Sequence, residues 1–216
     1  MFNYSEAEQQ VAEFLLQIKA IKLQPNNPFT WASGWKSPIY CDNRITLSHP
    51  TVRTYIRQQL SKAIQEKFGS VGCIAGVATA GIPQGALVAQ ELGLPFIYVR
   101  AKAKEHGRGN MIEGDDDSMT GKRVVVIEDL ISTGQSSLQA VSSLRDAGYD
   151  VAGLAAIFTY GFDIAAENFK NANCPYITLS NYTALVNYAE EHQYITRKDV
   201  DMLRDWRDNP SAWGAE

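Results

Sequence analysis

At 216 residues, with 45% hydrophobic and 20% charged residues, the chain has the proportions of a folded globular protein with a sizeable core, not of a disordered or fibrous one. Lys and Arg number 20 against 24 Asp and Glu, a formal net charge of −4, which removes the global attraction that non-specific nucleic-acid binders use. The start, MFNYSEAEQQ, is acidic where a signal peptide is basic and then apolar, no segment reaches the ~18 apolar residues of a membrane span, and Cys41, Cys73 and Cys174 lack the close spacing or histidine company of a zinc site; reduced thiols and a cytoplasmic location are expected.

In chain order, Val11, Leu15 and Ile18 recur at helical spacing from Ser5 to about Ala20, and Ser5 with Glu8 has the S-x-x-E form of a capping box. The stretch NPFTWASGWKSPIYCDN mixes aromatic and β-branched residues with Ser, Gly and Pro and predicts short strands joined by turns, a small separate lobe. A second helix follows Ser48, with Pro50 in its first turn and Val52, Tyr55, Ile56, Leu60, Ile64 and Phe68 on one face. Beyond Gly69, CIAGV, PFIYV, VVVIE and VAGLAAIF are short apolar strands, with helices predicted in GALVAQEL and SSLQAVSSLRDA. Such alternation implies a parallel sheet covered on both faces, because each crossover needs a helix and buries both sides of the strand. A strand YITL, a helix in NYTALVNYAEEH and another after Thr196 follow, with no internal repeat.

Ligands of open parallel sheets bind at the carboxyl ends of the strands, which directs attention to three loops. In VVVIEDLISTGQSS a buried strand ends in Glu128 and Asp129, and the small residues Ser132, Thr133, Gly134, Gln135 and Ser136 open a helix. Backbone N–H groups, hydroxyls and the positive helix end suit a phosphate monoester. The acids suit sugar hydroxyls or a divalent cation, so the spacing describes a ribose phosphate. Gly114 to Gly121-Lys122-Arg123 imitates a P-loop but is too long, has Arg123 for Ser or Thr, and leads into a strand; no G-x-G-x-x-G follows a strand. The second loop carries Arg100, Lys102, Lys104, His106 and Arg108 among Gly107, Gly109 and Gly114, which fits a movable flap over a highly charged ligand such as diphosphate. The acidic run Asp115, Asp116 and Asp117 after it is expected either to face solvent or to tether the open flap. The third, GVATAGIPQG, has no charged group; it reads equally well as a tight turn or as a close approach of Thr79, Gly81 and the backbone to a diphosphate. His49 and His192 sit at predicted helix ends and read as structural.

The pattern E-D-x-x-[ST]-x-G resembles the phosphoribosyl-diphosphate motif of the type I phosphoribosyltransferases. FTWASGWKSPIYCDNR, GVATAGIP, YVRAKAKEHGRGNMIEG and VVVIEDLISTGQSS stand in the order and spacing of the orotate phosphoribosyltransferases, a similarity over roughly residues 28 to 160. The resemblance implies an α/β phosphoribosyltransferase fold over residues 1–216 as one domain: a central parallel sheet flanked by helices (core about 70–180) and a small N-terminal hood (about 20–45, plus the C-terminal helices). It implies transfer of ribose 5-phosphate from 5-phospho-α-D-ribose 1-diphosphate (PRPP) to orotate, with Mg²⁺ held through the substrate and no direct protein ligand. Arg100, Lys102, Lys104, His106, Thr79, Gly81, Glu128, Asp129, Leu130, Ile131, Ser132, Thr133, Gly134, Gln135 and Ser136 would bind PRPP. Lys104 and His106 would stabilise the leaving diphosphate, with Asp129 the third catalytic group, and Tyr40, Cys41 and Ser132 would meet orotate. The implied assembly is a homodimer in which the flap completes the neighbouring subunit's site, without nucleic acid or membrane as partners.

The chain departs from the common family pattern by Ala32, Ala80 and Ala101 where many members have lysine, and by FTYG with Tyr160 where some present an arginine. Lys36, Lys102 and Lys104 stand close enough in sequence to supply compensating charge. Of the hood residues Trp31, Trp35 and Ile39, most read as packing. Rival readings are a purine or uracil phosphoribosyltransferase, which shares the ribose-phosphate loop, and a nucleic-acid-binding regulator of the same fold, which the net charge and the absence of a helix-turn-helix pattern in residues 1–30 disfavour.

Overall fold

The computed structural model describes residues 4–31, 33–101, 111–116, 118–119 and 121–214. Helix α1 (Tyr4–Gln17) leads into β1 (Ile21–Leu23), β2 (Phe29–Thr30), β3 (Lys36–Ser37) and β4 (Ile39–Cys41), then a 3-10 turn (Asn43–Ser48) and α2 (Pro50–Phe68). After these come β5 (Cys73–Val77), α3 (Gly81–Leu92), β6 (Phe96–Val99), β7 (Ile112–Glu113), β8 (Arg123–Ile131), α4 (Gln135–Asp146), β9 (Asp150–Thr159), α5 (Asp163–Asn171), β10 (Tyr176–Asn181), α6 (Tyr182–Glu191) and α7 (Arg197–Asp208).

Strands β5 to β10 form one sheet in the order β10-β9-β8-β5-β6-β7. Every pairing is parallel except β7 against β6, so the expected two-sided α/β sheet is present with one antiparallel edge that the apolar runs do not signal. Side chains alternate across it: Val125, Ile127, Ala155 and Ile157 enter the core shared with α1, α2, α6 and α7, while Val124, Val126, Leu154 and Ala156 enter the core under α4 and α5. Each such Val, Leu or Ile withdrawn from water contributes roughly 1.5–3 kcal/mol before entropy is counted. No helix among the described residues is long and apolar enough to cross a membrane.

From β5 the chain steps to β6 on one side, whereas β8 and its successors lie on the other. The crevice between the carboxyl ends of β5 and β8 is therefore the sheet's switch point, where ligands of such folds sit. Glycine lets α3 pack close to it: a Cβ on Gly81 would stand 2.4 Å from the Ile127 carbonyl oxygen, and one on Gly76 would stand 2.8 Å from that of Gly81.

The small lobe consists of two short antiparallel pairs, β1 with β4 and β2 with β3. Helix α7 braces it, for the Trp206 indole N–H donates to the Lys36 carbonyl at 3.2 Å. Thr196 caps α7 through a capping box with Asp199, which matches the predicted helix start. At the other terminus the helix already includes Tyr4, so Ser5 is not its N-cap; Glu8 instead accepts from the Asn181 side chain at 3.2 Å. Helix α1 also stops at Gln17, with Lys19 at φ +59° turning the chain.

Candidate active site

Strand β8 runs on to Ile131, paired with Thr159 of β9, so Glu128 and Asp129 lie within the strand rather than at its end. The loop proper is Ser132 to Gly134. Gly134, at φ +79°, caps α4, and a Cβ there would meet Phe169 at 2.7 Å, so both backbone and packing require glycine. The Asn168 amide fixes the loop by donating to the Thr133 carbonyl at 3.0 Å. With the chain reversed in this way, the first N–H groups of α4, at Gln135 and Ser136, lack helical partners and constitute an anion seat beside the acids.

Glu128 is only 5% exposed. Its carboxylate accepts from Ser137 Oγ at 3.2 Å and from the Asp129 backbone N–H at 3.0 Å. Burial raises its pKa well above the ordinary glutamate value, and neighbouring Asp129 raises it further. Burial also raises Asp129, while the hydrogen bond from Glu128 opposes that rise. Burial of two adjacent carboxyls thus shifts both toward the protonated form, Glu128 more strongly.

The Asn43 amide reaches across from the lobe and donates to the Asp129 carbonyl at 2.7 Å. Its Oδ1 accepts from Cys41 Sγ at 3.4 Å, its carbonyl accepts from Thr46 Oγ1 at 2.6 Å, and Thr46 Oγ1 accepts from the Gln84 amide of α3 at 3.0 Å. This buried chain of polar groups locks the lobe, β8 and α3 into one register. Burial, with Asp129 and Asp42 beside it, pushes the Cys41 thiol well above its ordinary value, so Cys41 is a neutral S–H donor rather than a nucleophile.

Between lobe and loop lies a cavity of about 270 Å³ lined by Thr30, Trp31, Tyr40, Cys41, Leu130, Ser132 and Tyr160. The predicted base contacts Tyr40, Cys41 and Ser132 are thus brought together. Trp31 both packs and lines it: its ring centroid is 5.2 Å from Tyr160 and its indole N–H donates to the Ile39 carbonyl at 3.1 Å. Ile39 is fully buried, as expected for packing. Lys36 Nζ donates to Thr30 Oγ1 at 2.9 Å, which sets one positive charge next to the lining. Ile131 is buried in the sheet, and its carbonyl accepts from Thr159 Oγ1 and the Tyr160 N–H; only its backbone is offered to the site. Trp31, Asn43, Ser137 and Tyr160 lie in or beside the motif segments, but their places in the site follow only from the pairing of distant segments.

The GVATAGIPQG segment is shorter as a loop than its sequence suggests. Helix α3 starts at Gly81, with Pro83 in the first turn where its missing N–H costs nothing, leaving residues 78–80 as the turn at the switch point. Thr79 is exposed there, whereas Gly81 is buried against Ile127, which assigns its missing side chain to packing. Of the flap, Arg100 is described: its N–H donates to the Met111 carbonyl at 2.8 Å and its guanidinium pairs with Glu113 at 3.4 Å. Lys102, Lys104, His106 and Arg108 lie outside the described residues, as do Ala32 and Asp117. His49 stands at the start of α2 without a side-chain capping bond, and His192 at the end of α6 stacks on Tyr188; neither joins the site.

The phosphoribosyl transferase domain family matches residues 46–191. The orotate phosphoribosyltransferase of Phocaeicola vulgatus is 57% identical, covering 96% of this chain and 97% of its own length. That of Listeria innocua serovar 6a is 55% identical, with 96% and 98% covered. The crystal structure of orotate phosphoribosyltransferase from Aeropyrum pernix superposes with a TM-score of 0.74 at 26% identity, covering 86% of this chain and 99% of that one. Full-length similarity at this level, together with an acid pair, an anion seat and an adjoining apolar cavity, establishes that the chain belongs to the orotate phosphoribosyltransferase family of type I phosphoribosyltransferases.

Proposed function

We propose that the chain transfers ribose 5-phosphate from PRPP to N1 of orotate, giving orotidine 5′-monophosphate and diphosphate, a step of pyrimidine nucleotide synthesis. The observation that carries this reading is the shared wall of the two subsites: Leu130 and Ser132, contiguous with the acids and the anion seat, also line the cavity closed by Tyr40 and Cys41. A sugar held by Glu128 and Asp129 with its 5′-phosphate on residues 132–136 thereby directs C1 toward a planar ring in the cavity. In the reaction the C1–O bond to diphosphate breaks, the leaving group takes the electron pair, and N1 supplies the pair for the new bond and gives up its proton.

The cavity's aromatic walls and neutral thiol favour a flat heterocycle, and positioning plus charge stabilisation carry the rate without a protein nucleophile. Arg100, Lys102, Lys104 and His106 are assigned to the diphosphate, with Lys104 and His106 stabilising its departure and Asp129 orienting the ribose. Thr79 and the adjacent backbone face the same group from the switch point. Among the described residues no group of three or more His, Cys, Asp or Glu side chains is arranged to hold a metal alone. Two acids beside a diphosphate seat nevertheless have the donor chemistry of a hard cation, so Mg²⁺ fits as an ion carried with the substrate, where it neutralises charge when bound. A homodimer whose flap reaches the neighbouring site belongs to this reading, and the free thiols Cys41, Cys73 and Cys174 suit a reducing cytoplasm.

The test is spectrophotometric loss of orotate in the presence of PRPP and Mg²⁺. Donor-dependent loss is expected; consumption of PRPP with guanine or uracil but not with orotate would overturn the assignment. In the same assay Lys104→Ala lowers turnover at saturating substrates by about 10²-fold, and an unchanged turnover removes the flap lysine from the mechanism.

A further inference from the structure

We propose that Asn43 is a positioning residue for the transfer step, fixing the ribose-holding acid of β8 at a set distance from the wall of the base cavity; the inference rests on the orotate reading above. Asn43 opens the 3-10 turn after β4, is 1% exposed, and lies outside the lining of the cavity. It therefore acts only through its neighbours.

Strand β5 accompanies β8 as far as Ile127, whose carbonyl lies against Gly81 of α3 at the switch point. Carbonyls two residues apart in a strand point the same way, so that of Asp129 faces the same edge beyond the end of β5. The Asn43 amide meets it there at 2.7 Å, while the Asp129 N–H donates to the Glu128 carboxylate at 3.0 Å. Side chains thus hold the peptide groups on both sides of the Asp129 Cα, and the aim of its carboxylate depends on them.

The other half of the Asn43 amide serves the lobe. Its Oδ1 accepts from the thiol of Cys41, which lines the cavity, at 3.4 Å. Its backbone carbonyl is pinned by Thr46 Oγ1 at 2.6 Å, and Thr46 is in turn held by the Gln84 amide of α3 at 3.0 Å. A leucine would fill the same space, but only an amide can donate to the acid's strand and accept from the cavity's wall at once. What this tie governs is the alignment of C1 with N1, a quantity that the affinity of each substrate alone does not report.

Asn43→Leu keeps the volume and cuts both bonds. In single turnover with PRPP, orotate and Mg²⁺ at saturation, the rate constant is expected to fall about 10²-fold, whereas the Kd of PRPP and of orotate, titrated separately, change by less than about threefold. Thr46→Val loosens the turn and leaves the Asn43 side chain in place; it should lower the rate constant about threefold or more in the same pattern, and it carries the test if the leucine chain does not fold. Ile64→Ala, a truncation in the buried core of α2, should lower the melting temperature yet leave the rate constant within about twofold of the parent's. The proposal is overturned by a rate constant within about twofold of the parent's in Asn43→Leu, or in Thr46→Val where the leucine chain does not fold. An equal fall in Ile64→Ala, or a loss confined to substrate affinity, overturns it as well. Failure of the parent enzyme to consume orotate would instead overturn the reaction assignment, so the two failures are distinguishable.

Discussion

Residues 128–137 and the base cavity share a wall, yet the first is one uninterrupted stretch of chain whereas the second draws on residues 30–41, 130–132 and 160. The contiguous part carries its chemistry with it: acids, small residues and helix start arrive together, positioned by a single strand-to-helix reversal. The assembled part owes its shape to elements that do not line it, above all α7, whose Trp206 is fully buried between Tyr160, Phe162 and Trp31 and hydrogen-bonded to the backbone of β3. Damage to the first should appear in donor binding, and damage to the second in base binding and global stability.

The strongest test of that division is Trp206→Ala, expected to cost about 3–5 kcal/mol in urea unfolding and to raise the orotate KM far more than the PRPP KM. Equal changes in both would show that the cavity and the phosphate loop are one mechanical unit. Glu128→Gln should act oppositely. Because burial raises this carboxyl's folded pKa, the native chain binds more protons than the unfolded one above the ordinary glutamate range. Stability therefore falls as pH rises from that range through the folded pKa, then levels off. The glutamine removes this decline and should raise the melting temperature at pH 8 by about 2–4 °C, while PRPP affinity drops tenfold or more. A scan across pH that keeps its slope in the variant would move the proton to Asp129. The smallest effect belongs to the lobe's surface: Arg44 pairs with Asp42 at 2.7 Å but is 62% exposed, so Arg44→Gln should change stability by roughly 0.2–1 kcal/mol, less at high salt.

The same contrast explains what the sequence made legible. The parallel sheet, α2, α4 and the strand-to-helix turn are written in local periodicity and in one motif, and they stand where that reading puts them, save that Glu128 and Asp129 lie inside β8 rather than at its end. Helix α5 was not readable, because only Ala165 and Phe169 of its nine residues are buried and Ile164 faces solvent; two apolar contacts make no stripe. Strand β7 is two residues long and exists through pairing with β6. At Gly81 the residue type suggested a ligand approach, and the reason it must be glycine is a carbonyl from β8, 46 residues further along the chain. Tyr40, Cys41 and Ser132 came from family resemblance rather than physics. Trp31, Asn43 and Tyr160 stand in or beside the segments the sequence marks, but their contacts needed three-dimensional neighbours.

That α7 underpins the lobe also has a consequence for how the enzyme comes into being during translation. Residues 128–136 leave the ribosome well before Trp206, whereas the cavity between lobe and loop has no firm backing until that indole is available to the β3 backbone and the aromatic cluster.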